Sequence, residues 1–331
     1  MTTITLVALS CSPAPEPQVA DLTKATSGAD DRFGVILSDT NYYEQTLELL
    51  GVRWYQDYSY DTRGIPKGTT KVLKVRSNRA PIADELQASA RSRPGSYWMI
   101  GNEPNEPGQD DVSPEDYAAV FHQYVSIIKG ADPTARIVGP EILNFDTTCT
   151  GCAGFPSGHS WLDSFRRSYR SAFNTEPPID IWSIHTYNLD WERLPQVDYQ
   201  AQIREIQAFR AYLDAVPALK SVPIWLTEFS VLWGYDGIRW NDQNGTMIAS
   251  PEGTLREDKL SAYLNQMVGW LQTHAKELNL QRWFLFSSHA YKEPWATAPG
   301  GVALVHAGED HLPKIAPLGT QYGRLAHGQQ P

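Results

Sequence analysis

Two glutamates stand where a sequence would place chemistry. Glu103 follows the run Tyr97-Trp98-Met99-Ile100-Gly101-Asn102, and Glu228 follows Pro223-Ile224-Trp225-Leu226-Thr227. Each apolar run reads as a short buried strand. A carboxylate is costly to bury, so a strand that ends on one either caps structure or carries a reaction. Two carboxyl groups on opposite sides of an anomeric carbon cleave a glycosidic bond: one protonates the leaving oxygen, and the other attacks or activates water. One such Glu is commonly a solvated loop residue; the pair is the signal. The chain also holds 11 Trp and 16 Tyr, flat rings that serve a large core or the faces of a sugar equally well.

The elements that must position such a pair can be marked along the 331 residues. Eight short apolar runs fall at 33–37, 52–55, 71–75, 97–100, 136–139, 179–184, 222–226 and 282–286. Most are continuous rather than alternating, as expected of parallel strands covered on both faces. Between them lie stripes of helical period. Ser113-Pro114-Glu115-Asp116 is a helix start, with a capping Ser, Pro in the first turn and acids beside it. Tyr117, Phe121, Tyr124 and Ile128 then share one face. Trp161, Leu162, Phe165 and Tyr169 make a second stripe, Ile203, Ile206, Phe209 and Leu213 a third, and Leu260, Leu264, Met267 and Leu271 a fourth. Strands alternating with helices predict an α/β protein, a single-domain (β/α)8 TIM barrel over 31–331. Its second helix is short or missing, because 57–70 shows no helical stripe. A doubly wound open sheet accepts the same alternation, but no Gly-x-Gly-x-x-Gly or phosphate-loop pattern follows the first strand. In a barrel the site forms at the C-terminal strand ends. Glu103 then closes the fourth strand and Glu228 the seventh.

A formal charge of −10 with no basic run argues against nucleic acid as a partner. Residues 1–30 read as a leader, either disordered or the remnant of a signal. Its apolar stretch 2–10 runs into Cys11 and a Pro-rich segment, which resembles the end of a lipoprotein signal without the basic region that should precede it. The expected location is therefore extracellular or periplasmic, with a lipid anchor at Cys11 as the only membrane contact and a monomer as the working unit. Three cysteines without matching Cys/His spacing predict no metal site. Cys149 and Cys152 suit a local loop disulfide if the protein is exported, and two free thiols if it is not. The loop 230–254, with Trp233, Tyr235 and Trp240, is long enough to be functional and reads as a structureless wall of substrate subsites.

The motifs resemble those of clan A glycoside hydrolases. Gly101-Asn102-Glu103-Pro104-Asn105 is similar to the clan's Asn-Glu-Pro signature, Leu226-Thr227-Glu228-Phe229 to its nucleophile strand, and Ile181-Trp182-Ser183-Ile184-His185-Thr186-Tyr187 to its sixth strand. The likeness runs over almost the whole chain and leans toward barrels of the family 39 and family 128 type. It implies a retaining double displacement with Glu103 as acid/base and Glu228 as nucleophile, and no cofactor. It further implies Asn102 at the sugar 2-hydroxyl, His185 and Tyr187 lining the glycone site with the Tyr hydroxyl steering Glu228, and the Glu228 charge raising the Glu103 pKa. His289 and Trp295 after strand eight complete the expected substrate-binding set, with Tyr291 competing with Trp295 as the aromatic platform. The implied partner is a β-linked polysaccharide, β-glucan before mannan or xylan, cleaved internally. A non-catalytic glycan-binding barrel and a transglycosylase using the same residues are the alternatives.

Overall fold

The computed structural model describes residues 20–38, 42–149, 154–190, 197–231, 238–241, 246–249, 257–288, 303–307 and 312–329. Its first half runs β1 (Phe33–Ile36), α1 (Tyr43–Leu50), β2 (Trp54–Gln56), β3 (Thr70–Lys71), β4 (Leu73–Val75), α2 (Ala83–Ser92), β5 (Tyr97–Ile100), α3 (Pro114–Ala131) and β6 (Arg136–Leu143). The second half continues α4 (Gly158–Phe173), β7 (Ile181–Thr186), α5 (Tyr199–Asp214), β8 (Ile224–Phe229), α6 (Glu257–His274), β11 (Leu280–Leu285) and α7 (Pro317–Ala326). Two small hairpins interrupt it, β9 (Ile238–Asn241) with β10 (Thr246–Ala249) and β12 (Val305–Ala307) with β13 (Pro313–Ile315).

Nine strands form one sheet in the order β3-β2-β1-β11-β8-β7-β6-β5-β4. All its pairings are parallel. The first and last members of that order, β3 and β4, are halves of one stretch separated only by Val72. The sheet therefore closes on itself into a barrel of the (β/α)8 kind, in one domain.

Period-two burial builds two cores. On β5, Trp98 and Ile100 face the helical ring while Met99 points down the barrel axis with Ile36, Val138, Trp225 and Phe284. The helices bury the predicted stripes: Tyr117, Phe121, Tyr124 and Ile128 on α3, and Trp161, Leu162, Phe165 and Tyr169 on α4. Ser113 caps α3 by accepting the Asp116 N–H at 3.1 Å. Six of the 11 Trp (54, 98, 161, 182, 225 and 283) are buried in these cores, so among the described side chains packing accounts for most of the tryptophan.

No helix joins β2 to β3. Lys71 organises that connection instead, its buried ammonium donating to Asp57 at 2.7 Å, Ser59 at 2.9 Å and the Asp61 carbonyl at 2.9 Å. All three donors of a lysine are thereby used, and a polar knot stands in for a helix. Residues 20–30 lie along the barrel wall, with Leu22 buried and its N–H bonded to the Lys67 carbonyl at 2.8 Å. Two details differ from the sequence reading. The loop after β8 is not structureless, since it carries the β9–β10 hairpin, and β8 runs on past Leu226 to Phe229, so Glu228 lies inside a strand. Extended pairing continues there because β7 and β11 flank β8 on both sides.

Candidate active site

Glu228 reaches the barrel mouth through a defect in its strand. On β8, Trp225 faces the axis and Leu226 the helices, so strict alternation would return Glu228 to the helical side. The pairing with β11 advances from Trp283 to Leu285 while β8 advances from Leu226 to Phe229. That extra residue is a β-bulge, which re-aims a side chain, and it turns Glu228 inward. A second bulge on β6, between Pro140 and Ile142 opposite Ser183 and Ile184 of β7, does the same for Glu141.

Glu103 is held differently. It follows β5 through Gly101 at φ +101° and itself takes φ +47°. A side chain at Gly101 would be strained by that φ and would meet Tyr117 Cε2 at 3.1 Å. The Glu103 N–H donates to the Glu141 carbonyl at 3.0 Å. Asn105 straps the turn to β6, accepting the Leu143 N–H at 2.9 Å and donating to its carbonyl at 3.0 Å. Asp110 folds the following loop back by accepting the Asn102 N–H at 2.9 Å and both the N–H and hydroxyl of Ser77 at 2.6 Å.

The side chains converge on the axis. An oxygen of Glu103, an oxygen of Glu228 and a ring nitrogen of His185 all lie within 4.8 Å of one another, each residue buried. His185 Nδ1 is 2.8 Å from Glu103 Oε1 and 3.9 Å from Glu228 Oε2. Both Glu228 oxygens accept phenol protons, Oε1 from Tyr187 at 2.5 Å and Oε2 from Tyr58 at 2.9 Å. Asn144 fixes the Tyr187 backbone, accepting its N–H at 2.9 Å and donating to its carbonyl at 3.0 Å. Beneath them Lys74, fully buried, pairs with Glu141 at 2.7 Å, donates to Asn102 Oδ1 at 2.5 Å and lies 4.7 Å over the Tyr58 ring. The three clustered donors could in principle ligate a cation. A cation there would have to displace the Glu103–His185 contact at 2.8 Å.

Burial pushes the Glu103 carboxyl up to about 7; Lys74 and Arg76 pull it down, and Asp110 pushes it further up. Desolvation is thus the largest cause, where the sequence pointed to the Glu228 charge. Burial also lowers His185 below its ordinary range against the opposing pull of Glu228 and Glu141. It raises the Tyr187 phenol well above the usual value, with Glu228 adding to the effect. His185 and Tyr187 are thus neutral around pH 7.

Of the residues expected from sequence, Glu103, Glu228, Asn102, His185 and Tyr187 come together here. Trp233, His289 and Trp295, with Tyr235, Tyr291, Cys11 and Cys152, lie outside the described residues, as does most of the leader. Cys149 is disulfide-bonded. Sequence reasoning missed Tyr58, Lys74 and Glu141. The last two carried the signal that found Glu103, a charge within an apolar run (Val72-Leu73-Lys74-Val75 and Glu141-Ile142-Leu143). Tyr58 carried none, for it lies in the helix-less connection.

A family model described as the glycosyl hydrolase catalytic core matches residues 48–298. No curated protein matches the sequence. Among solved structures, a GH128 (subgroup II) endo-beta-1,3-glucanase from Pseudomonas viridiflava is 18% identical, with a TM-score of 0.60 over 88% of this chain and 96% of that one. A GH128 (subgroup III) curdlan-specific exo-beta-1,3-glucanase from Blastomyces gilchristii, in complex with glucose, is 16% identical at a TM-score of 0.58, covering 90% and 99%. A GH128 (subgroup I) endo-beta-1,3-glucanase from Amycolatopsis mediterranei, in complex with laminaritriose, is 19% identical at 0.56, covering 89% and 99%. Identity at this level carries the fold.

Proposed function

Since this chain belongs to the glycosyl hydrolase catalytic core family, we propose that it is a retaining, endo-acting β-1,3-glucanase with Glu103 as acid/base and Glu228 as nucleophile. The observation that carries the reading is the approach of the two carboxyl groups, with oxygens within 4.8 Å. So close an approach favours a direct attack, for which the carboxyl groups lie about 5–5.5 Å apart, over the roughly 6.5–9.5 Å that leaves room for a water.

Glu103 gives its proton to the leaving oxygen as a Glu228 oxygen attacks the anomeric carbon, forming a glycosyl ester. Glu103, now a carboxylate, takes a proton from water, and the resulting hydroxide equivalent displaces Glu228 with net retention. The phenols of Tyr187 and Tyr58 hold the nucleophile in place and stabilise it again as it leaves. The β-1,3 linkage rests on the three structural relatives, two endo-acting and one exo-acting. The disulfide at Cys149 favours action in an oxidising compartment.

Two expected results test this. Reducing ends appear first from β-1,3-glucan, as a ladder of oligosaccharides, when it is compared with mixed-linkage glucan, mannan and xylan. Glucose alone would replace endo by exo action, and binding to a polymer without release would make the barrel a glycan-binding protein. Second, the acid must carry its proton in the free enzyme, so kcat/KM falls above pH of about 7 as Glu103 ionises. A basic limb near the ordinary Glu value of about 4.3 would show that burial does not hold the proton on Glu103.

A further inference from the structure

Glu141 is a buried acid for which the double displacement has no use. It takes φ +60° inside the β6 bulge, a region that few non-glycine residues adopt and that clusters at functional sites. Its carbonyl holds the Glu103 N–H and its own N–H donates to Ser183 Oγ at 3.1 Å. Its carboxylate has Lys74 Nζ at 2.7 Å on one side and His185 Nε2 at 4.0 Å on the other. Among the described residues, neither Nε2 nor a Glu141 oxygen meets hydrogen-bond geometry. An acid and a ring nitrogen therefore lie 4.0 Å apart without a hydrogen bond between them.

Taking Glu103 as the acid, we propose that Glu141 is a positioning residue that keeps the His185 ring proton on Nε2, so that Nδ1 is an acceptor and Glu103 retains the proton it must deliver. A neutral imidazole has one donor and one acceptor nitrogen. Nδ1 is satisfied in either tautomer, because at 2.8 Å it accepts from a protonated Glu103 or donates to an ionised one. Nε2 decides between them. With its proton it faces a carboxylate; without it, a buried lone pair faces that same carboxylate, and burying an unpaired acceptor costs free energy. The Nδ1–H tautomer would also stabilise Glu103 as a carboxylate, the wrong state for an acid. Lys74, at 2.7 Å, supports the device by pulling the Glu141 carboxyl toward its ionised form against the larger upward push of burial.

Other charges bear on both groups. His185 is faced by Glu103 from the turn after β5, Glu141 from β6, Glu228 from β8 and Lys74 from β4. Glu103 is faced by His185, Lys74, Arg76 and Asp110, with the Tyr187 phenol alongside. Glu228 pulls on Nδ1 from 3.9 Å, but it already accepts two phenol protons.

The test is the nitrogen-15 spectrum of histidine-labelled full-length protein at pH 6, with His185 assigned by its loss in His185→Asn. The expected wild-type pattern is a protonated Nε2 and a bare Nδ1; a protonated Nδ1 overturns the proposal whatever the activity. In Glu141→Gln the amide oxygen turns to Lys74 and the NH2 faces Nε2. The tautomer then flips, and the basic limb of kcat/KM moves acidward by about one pH unit. Lys74→Met/Glu141→Gln, which leaves no unpaired buried charge, is read by its spectrum alone, where the tautomer flips again, because losing Lys74 itself lifts the Glu103 pKa. A folded Glu141→Gln variant with lower kcat at every pH and an unmoved limb marks a merely structural residue and also overturns the proposal. If neither variant folds, the wild-type spectrum decides. If the wild type cleaves no glucan, the glucanase reading fails while the tautomer remains measurable.

Discussion

Replacing Glu228 by glutamine lowers kcat on β-1,3-glucan by about 10,000-fold or more, the scale seen when a covalent nucleophile is removed, while laminari-oligosaccharides still bind. The substitution is isosteric, so it changes chemistry rather than packing. An amide oxygen is a poor nucleophile toward an anomeric carbon. The local cost is confined to one bond. Tyr187 and Tyr58 each donate to a different oxygen of Glu228. When one oxygen becomes NH2, the phenol facing it must rotate its proton away and accept instead, which a hydroxyl can do. Stability therefore falls little and the thermal midpoint moves by a few degrees. Initial rates set against oligosaccharide titration check the separation of kcat from binding. Activity within tenfold of wild type would mean that some other group attacks, and the retaining assignment would fall with it.

Replacing Glu103 by alanine has an effect that depends on the leaving group. On the polymer, whose leaving alcohol needs a proton, the rate falls by about 100- to 10,000-fold, the usual contribution of general acid catalysis. On an aryl glycoside with a strongly acidic phenol, departure needs no proton, so formation of the ester at Glu228 is nearly unimpaired. The ester then accumulates because no base activates water. Added azide, a small anion that needs no base, enters the space left by the carboxyl group and restores turnover, with a β-glycosyl azide as product. The configuration follows from two inversions at one carbon. Equal losses on polymer and aryl substrate, with no rescue by azide, would remove Glu103 from the acid/base role.

The reaction centre was legible to different depths at different residues. Glu103 could be found because a charge that ends a buried run is costly, and His185 and Tyr187 through the resemblance of residues 181–187 to the sixth strand of clan A barrels. The same reasoning applied to Lys74 and Glu141, yet each reads equally well as a solvated strand residue until its partner is known. Lys74 and Glu141 lie in strands separated by β5 in the sheet order, and sequence spacing says nothing about that approach. The reason for the raised Glu103 pKa was open in the same way. Like-charge repulsion and desolvation both raise a carboxyl pKa, and only the degree of burial decides between them.

The hydrophobic pattern by itself determined the class of fold, the number of staves, the missing helix between the second and third of them, and the strands on which the two glutamates sit. Those properties follow from local periodicity, which every stretch of chain carries within itself. The tertiary structure alone decided where the carboxyl groups point and what surrounds them. Counted by alternation from Trp225, Glu228 belongs on the helical side of the sheet; one extra residue in β8, visible only against its neighbours β7 and β11, returns it to the mouth. Tyr58 meets Glu228 across 170 residues of chain, and Lys74 meets Glu141 on a strand that is not its neighbour in the sheet. Bulges and long-range ion pairs are properties of two strands at once, and their energies depend on registers and separations that no single segment encodes.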